Sequence, residues 1–399
     1  MYANLAILAA FVFVYGIVAG RVDRMPISGP IVFTAFGLVF GPLGLGLLTF
    51  EVDGGGLRTL AELTLALVLF TDAAGANLGV LKKSRQIPAR LLLVGLPLTI
   101  LLGFAVGGLV LPGLTMFEVA ILATMLAPTD AALGSAVVTN PKVPADIRES
   151  LNVESGLNDG ICVPILFVFL ALATGTTAAA GGFDLALRLV ARELGIGLAV
   201  GLLLTGVGGW AIRRCAELGW VTDPWRQMIV VALAFSCFAL AQIVGGSGFI
   251  ASFSGGLLFS ALAKKHKHEL LATAEGVGST LALATWVVFG SAVVGQMMGG
   301  FSWRIAVYAV LSLTVVRMLP VFLSLNGTGV GTKARLFMGW FGPRGLASIV
   351  FIVIVLNERL PGNETLALVV VCTVLLSILA HGFSANPLIA ALASRSEQS

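Results

Sequence analysis

Long apolar runs separated by short polar segments recur along the whole chain, and this pattern predicts a bundle of membrane-spanning helices. A helix needs about 20 apolar residues to cross the hydrocarbon core of a bilayer. We therefore predict an all-α integral membrane protein with about thirteen transmembrane helices. The predicted spans lie near residues 4–20, 28–48, 57–78, 89–112, 116–139, 150–173, 187–212, 225–245, 247–263, 276–300, 304–324, 335–356 and 364–391.

Two of these spans are interrupted by proline and glycine, the fifth near residues 125–131 and the twelfth near 340–345. Each interruption carries one charged residue, Asp130 in the first and Arg344 in the second. Interrupted spans at matching positions mark the midplane site of many transporters. We expect two discontinuous helices with opposing half-helix ends, with Asp130 facing positive N-terminal helix ends and Arg344 facing negative C-terminal ends. The alternative is a pair of proline kinks that serve packing alone.

The matching interruptions also predict how the chain is organised. We expect one transmembrane domain, residues 1–399, built from inverted repeats. The first half covers about 1–175, a connecting helix covers about 187–212, and the second half covers about 225–391. A short cytoplasmic tail, 392–399, follows the last span.

Composition supports the membrane assignment. Hydrophobic residues form 58% of the 399 and charged residues only 11%, whereas an average soluble domain carries about 25% charge. In a membrane protein, the formal charge of +4 reflects basic residues in the loops, and their distribution indicates which loops face the cytoplasm. We expect no nucleic-acid partner. The four cysteines form no CxxC pair, so the sequence predicts neither a disulfide framework nor a metal cofactor.

Lysine and arginine fall unevenly on the two sides of the predicted membrane. Seventeen lie in one set of alternate loops and five in the other. Loops rich in lysine and arginine stay in the cytoplasm. This bias places the N-terminus outside and the C-terminus in the cytoplasm, which requires an odd number of spans. We expect a prokaryotic inner membrane.

The most polar stretch of an otherwise apolar span is Leu151 to Gly160. Ionisable groups inside a membrane are expensive, so they are candidates for a functional site. On a helix, Ser155 and Asp159 lie one turn apart on one face, and Glu154 and Asn158 share the neighbouring face. Carboxylate and hydroxyl oxygens are ligands that suit small hard cations.

Three further charged residues lie in or near apolar runs. Arg317 needs an anion, and Glu154 is the expected partner; the alternative is that Arg317 extends to the membrane surface. Asp72 is a further acid near the end of a span, where an interfacial position is equally compatible with the sequence. Asp130, on a separate span from Asp159, completes a candidate oxygen site.

These motifs resemble those of the NhaP-type sodium/proton antiporters, which are relatives of the animal sodium/proton exchangers. The resemblance runs from about the third to the twelfth span, in the same order. It rests on Ala127-Pro128-Thr129-Asp130, Glu154-Ser155-Gly156-Leu157-Asn158-Asp159-Gly160, Gly246-Ser247-Gly248-Phe249-Ile250-Ala251, Arg317 with Val321-Phe322-Leu323-Ser324-Leu325, and Gly342-Pro343-Arg344-Gly345.

The resemblance implies a homodimer with thirteen helices, and two crossed discontinuous helices in a mobile six-helix core. It implies that Asp159 carries either a proton or a cation, with Asp130, Ser155 and Thr129 as further Na⁺ ligands. It also implies that Glu154 pairs with Arg317 and that Asn158 accompanies electroneutral exchange. The expected activity is antiport of Na⁺, or of K⁺ or Li⁺, against protons by alternating access, without a cofactor and without enzymatic chemistry.

Other functions remain open from the sequence. A channel or a sodium-coupled symporter of similar architecture would use the same polar groups. An intramembrane serine protease would use Ser247, in a Gly-Gly-Ser-Gly motif, with His381 as its base. The alternative for that motif is close helix packing by small residues.

Overall fold

The computed structural model describes residues 2–22, 28–48, 55–76, 86–130, 132–174, 182–263, 267–294, 300, 302–358 and 360–393. Every regular element within these ranges is a helix, so the predicted all-α class is confirmed. Residues 394–399 of the predicted tail lie outside the described ranges. The helices are α1 (Tyr2–Val22), α2 (Gly29–Phe40), α3 (Gly55–Gly75), α4 (Gln86–Val110), α5 (Met116–Met125), α6 (Ser135–Val138), α7 (Ala145–Ala173), α8 (Gly182–Glu217), α9 (Asp223–Ile243), α10 (Gly248–Leu262), α11 (Lys267–Val288), α12 (Trp303–Leu313), α13 (Val315–Ser324), α14 (Thr332–Trp340), α15 (Leu346–Asn357) and α16 (Asn363–Ala393).

Many of these helices have the length and composition of membrane spans. Seven stretches of the described chain are long and apolar enough to cross a bilayer, and five shorter apolar helices have 10–17 residues. Each predicted span overlaps one helix or one interrupted pair of helices. The chain is therefore an integral membrane protein, and the number of thirteen crossings remains a prediction.

Several helix boundaries differ from those predicted. The span near 304–324 is divided at Thr314, whose backbone leaves the helical region (φ −106°, ψ −92°) at the start of a β-branched run. Helix α11 begins at Lys267, nine residues before the predicted start at 276, because its first turns are polar and do not continue the apolar pattern of the span. Helix α7 begins at Ala145, five residues before the predicted start at 150, so the polar stretch lies within the helix.

The helices pack as two groups that meet along α7. In one group, α10 packs against α3, α8 and α9, while α11 packs against α2, α3 and α9. In the other group, α4 packs against α5 and α13, and α16 packs against α12 and α15. Helix α7 contacts α5 in the second group and α3, α8 and α10 in the first. The polar stretch of α7 is therefore placed where the two groups meet.

Helices α3 and α10 approach closely at Gly256. A Cβ atom on this residue would lie 2.3 Å from the carbonyl oxygen of Phe70. Small residues permit such close contacts between membrane helices. The contact fixes α3, which carries Asp72, against the rest of its group.

Candidate functional site

The two interruptions predicted from the sequence cross each other in the structure. Helix α5 ends at Met125, and the chain then continues without helix as far as Asp130. Helix α14 ends at Trp340, and α15 begins at Leu346. The backbone N–H of Asp130 donates to the carbonyl oxygen of Pro343 at 2.8 Å, so each unwound segment supplies a partner to the other. Unwound backbone inside a membrane requires such partners.

Asp130 satisfies the N-terminal backbone groups on both sides of the crossing. One carboxylate oxygen accepts the N–H of Leu346 at 2.8 Å, which is the first residue of α15. The other accepts the N–H groups of Ala132 and Leu133 at 2.8 and 3.1 Å. The carboxylate therefore neutralises the partial positive charge at the start of α15.

Arg344 compensates the carbonyl oxygens of the unwound segment that follows α5. Its Nη1 donates to the carbonyl oxygens of Ala127 and Pro128 at 2.7 and 3.0 Å. Ser348 adds a hydroxyl that donates to the carbonyl oxygen of Met125 at 2.7 Å. The last carbonyls of a helix have no partner within the helix. The sequence predicted that Arg344 faces C-terminal helix ends, whereas the contact of Ser348 was not predicted.

Glu154 and Arg317 form a bidentate ion pair away from solvent. Arg317 Nη1 and Nη2 donate to the two carboxylate oxygens of Glu154 at 2.5 and 2.8 Å, and each side chain is 1% exposed. Gly342 leaves room for the guanidinium, because a Cβ atom at this residue would lie 2.3 Å from Arg317 Nε. The pair therefore joins α7 to α13 beside the second interruption.

Thr129 connects the first interruption to the polar stretch of α7. Its hydroxyl lies 2.8 Å from the hydroxyl of Ser155 and accepts a hydrogen bond from Asn158 Nδ2 at 2.7 Å. Ser155 and Asn158 therefore converge on one partner, although the helical spacing predicted that Asn158 shares a face with Glu154. The three buried side chains form a continuous polar cluster.

Asp159 lies next to this cluster and is 7% exposed. Its Oδ1 is buried and receives no hydrogen bond from the described residues, and the same is true of Asn158 Oδ1. A buried oxygen without a donor is costly unless something else compensates it. Carboxylate, amide and hydroxyl oxygens are the donors that a small hard cation takes, so this donor set fits such a cation.

Asp72 approaches the site from α3. Gly156, within the polar stretch, faces it: a Cβ atom at Gly156 would lie 3.4 Å from the backbone oxygen of Asp72. The carboxylate of Asp159 interacts electrostatically with those of Asp72 and Asp130. The structure thus places this further acid at the contact between the two helix groups and not at an isolated surface position.

Two residues of α16 support the second interruption and were not recognised as a unit in the sequence. The hydroxyl of Ser377 accepts the backbone N–H of Arg344 at 2.7 Å. One turn later, His381 Nε2 lies 2.8 Å from the carbonyl oxygen of Trp340, and Nδ1 lies 3.2 Å from the Ser377 hydroxyl. Their four-residue spacing on a single apolar span was the available signal.

The protease alternative requires Ser247 and His381 to be hydrogen bonded. Within the described chain, the Ser247 hydroxyl instead accepts the N–H of Ile250 as the N-cap of α10, and the partners of His381 lie at the second interruption. The structure therefore does not bring these two residues together as a catalytic dyad.

Comparison with known proteins identifies relatives along nearly the whole chain. The family profile described as "Sodium/hydrogen exchanger, transmembrane" matches residues 7–391. The K(+)/H(+) antiporter NhaP2 of Shewanella baltica is 22% identical over 371 residues, which cover 91% of this chain and 62% of that protein. A Na(+)/H(+) antiporter of Schizosaccharomyces pombe is 24% identical over 298 residues, which cover 67% of this chain and 64% of that protein. This chain thus spans less than two thirds of the length of these relatives.

A solved structure shares the fold. The sodium proton antiporter MjNhaP1 from Methanocaldococcus jannaschii superimposes with a TM-score of 0.79, covering 96% of this chain and 98% of that one at 20% identity. The same helical architecture therefore persists at low sequence identity. Together with the family profile, this agreement shows that the chain belongs to the sodium/hydrogen exchanger family of transmembrane proteins.

Proposed function

We propose that this protein exchanges a monovalent cation for a proton across the membrane, with Asp159 as the shared carrier of both. The observation that carries the proposal is the buried Asp159 Oδ1, which has no hydrogen-bond donor among the described residues and lies beside a cluster of hydroxyl and amide groups. The relatives described above are named as Na⁺/H⁺ and K⁺/H⁺ antiporters, which agrees with this chemistry.

The proposed cation ligands are oxygens of Asp159, Ser155, Thr129 and Asp130, with Asn158 Oδ1 beside them. The hydroxyls of Thr129 and Ser155 are 2.8 Å apart, so a cation near one is within reach of the other. Both oxygens of Asp130 already accept backbone N–H groups. The main contribution of Asp130 is therefore its negative charge and its hold on the backbone at the crossing. Asp72 is a further acid, on the opposite helix group.

Coupling follows from the cost of moving charge. A carboxylate without a counter-charge costs about 2.5–3.5 kcal/mol or more at the centre of a bilayer. Asp159 therefore passes the barrier only when a proton or a cation neutralises it. Proton and cation compete for the oxygens of Asp159, so each half-cycle of transport carries either a proton or a cation across the membrane.

Alternating access would use the contact between the two helix groups. The group that contains α4, α5, α7 and α12–α16 carries the crossing, and Asp72 lies on the other group. The eight helical segments of the group that carries the crossing correspond to six predicted spans, and we propose that they form the six-helix core. Rocking of this core against the other group would open the region around Asp159 to each side in turn. The proposed halves, about 1–175 and 225–391, contribute one interruption each.

Stoichiometry, assembly and orientation are further parts of the proposal. We propose one cation per proton, because Asn158 is neutral where electrogenic relatives of the family carry a second acid. We also propose a homodimer in a prokaryotic inner membrane. The excess of basic residues in one set of loops supports an outside N-terminus and a cytoplasmic C-terminus.

Proteoliposomes test the activity directly. Purified protein is reconstituted with a pH-sensitive dye inside, and Na⁺, K⁺ or Li⁺ is added outside at several pH values. The wild type should move protons against at least one of these cations, and Asp159→Asn should not, while it elutes as the same folded species. Cation-driven proton movement at the wild-type rate in Asp159→Asn would overturn the mechanism.

The same vesicles separate the proposal from its alternatives. A channel would pass the cation without moving protons, at rates that follow an imposed membrane potential. A symporter would require an organic solute before cation uptake begins. Electroneutral exchange should give equal initial rates with and without a valinomycin-clamped potential.

A further inference from the structure

A cavity of about 510 Å³ lies outside the candidate site, where α8, α9, α10 and α11 meet. Its walls include the apolar side chains of Ile212, Phe259 and Leu262. Two arginines, Arg213 and Arg226, also line it. None of the residues that line it belongs to the crossing of the interrupted helices or to the polar cluster around Asp159.

Exposed tryptophans show the depth of this cavity relative to a bilayer. Trp220 and Trp225 lie next to it, in the turn between α8 and α9 and in the first turn of α9, and each is 71% exposed. Tryptophan is enriched at the boundary between headgroups and acyl chains. The two tryptophans therefore indicate that the cavity lies near one membrane surface.

The charge around the cavity is positive. Arg213 is exposed, and its neighbour Arg214 lies 3.5 Å from Glu217, which also lines the cavity. The charge bias of the loops assigns this side to the cytoplasm.

We propose that this cavity binds an anionic phospholipid, with its phosphate at Arg213 and Arg226 and an acyl chain along Ile212 and Leu262. Arginine binds phosphate oxygens through a planar, charged fork of donors. Basic pockets between transmembrane helices on the cytoplasmic side are known to suit anionic headgroups. A purely apolar occupant would not use the arginines, and a free anion would not use the apolar wall.

A lipid in this cavity connects the long helix α8 to the ends of α10 and α11. Helix α8 also contacts α7, which carries the polar stretch. The bound lipid therefore stabilises the arrangement around the connecting helix without contacting the candidate ion site. The proposal does not depend on the proposed transport function, since lipid binding is measured without ion flux.

The test uses the full chain in nanodiscs of phosphatidylcholine with an increasing fraction of phosphatidylglycerol. Lipid retained after transfer to detergent is counted by native mass spectrometry, and the apparent melting temperature is recorded for each composition. We expect retained phosphatidylglycerol and a melting temperature that rises with its fraction. In Arg213→Gln, binding should weaken roughly tenfold, the loss expected for one charge-assisted hydrogen bond.

Two further variants separate a specific site from surface charge. Arg192→Gln removes an exposed arginine about 30 Å away along α8 and should leave both readouts unchanged. Ala216→Trp fills the cavity without changing charge and should abolish retention. Equal losses in Arg192→Gln and Arg213→Gln, or full retention in Ala216→Trp, would overturn the proposal.

A last arm distinguishes the lipid from a free anion. Inorganic phosphate added to nanodiscs of pure phosphatidylcholine should not raise the melting temperature. If phosphate alone reproduces the stabilisation, the cavity is a site for a soluble anion and the lipid proposal is wrong.

Discussion

Glu154 and Arg317 face each other inside the protein as a bidentate pair with N–O distances of 2.5 and 2.8 Å, joining α7 to α13. Neither side chain reaches solvent, so each depends on the other for compensation of its charge. Because Glu154 and Asp159 lie on the same helix, the pair also fixes the position of the proposed ion carrier.

Removal of one partner should therefore lower the free energy of unfolding more than removal of both. Arg317→Ala leaves a buried carboxylate and should lower the free energy of unfolding by about 3–5 kcal/mol. Glu154→Gln combined with Arg317→Ala should recover much of that loss. The measurement is a double-mutant cycle on the apparent melting temperature in detergent, together with the folded yield.

The exposed pair of Arg58 and Glu62 provides the matched control. These side chains are four residues apart on α3, and that of Arg58 is 44% exposed. Arg58→Ala should cost less than about 1 kcal/mol, as exposed pairs generally do. If the two arginine variants lose equal stability, or if the double-mutant cycle is additive, the buried pair does not have the energetic role assigned to it.

Gly345 is required by the contact between Asp130 and the start of α15. A Cβ atom at this residue would lie 2.0 Å from Asp130 Oδ2, the oxygen that accepts the N–H of Leu346. Gly345→Ala should therefore displace the carboxylate, cost about 1–3 kcal/mol as overpacking does, and abolish transport. Gly276→Ala is the control, because nothing lies within 4 Å of a Cβ there and alanine favours the helix. Wild-type exchange by Gly345→Ala would show that the crossing tolerates a different geometry.

The sequence predicted the elements whose signals are local. Proline and glycine in apolar runs located both interruptions, and buried charges located Asp130, Glu154, Arg317 and Arg344. The partners that depend on the crossing were not predictable, because no spacing relates Ser348 to Met125 or Ser377 to Arg344. The shared contact of Ser155 and Asn158 with Thr129 was also missed, since helical geometry gives a residue's face and not its partner on another segment. The division at Thr314 left only a weak signal, a short β-branched run.

His381 should act as a support for the second interruption. Its ring lies between α16 and Trp340, where Nε2 is 2.8 Å from the Trp340 carbonyl oxygen and the two ring centroids are 5.2 Å apart. His381→Phe keeps an aromatic ring and removes both nitrogens, so the Trp340 carbonyl oxygen and the Ser377 hydroxyl each lose one of their hydrogen-bond partners. The expected loss is about 1–3 kcal/mol with reduced exchange, measured by thermal unfolding and by flux in proteoliposomes.

A milder variant provides a comparison for the stability loss of His381→Phe. Ser384→Ala removes only the acceptor of the Trp340 indole N–H, at 2.8 Å, and keeps the histidine contacts. It should lose less stability than His381→Phe and retain exchange. If Ser384→Ala were the more damaging change, the supporting role would belong to the indole and not to the imidazole.

Cation binding itself should stabilise the protein through Asp159. A ligand that binds only the folded state adds RT ln(1 + [L]/Kd), which is about 2.7 kcal/mol at a concentration one hundred times Kd. The transported cation should therefore raise the melting temperature, with choline at equal ionic strength as the control.

Because protons compete for the same carboxylate, the apparent Kd should rise as pH falls, by up to about tenfold per pH unit. Asp159→Asn should lose the shift, and Asp72→Asn should weaken it while leaving it measurable. An unchanged cation-dependent shift in Asp159→Asn would place the binding site elsewhere.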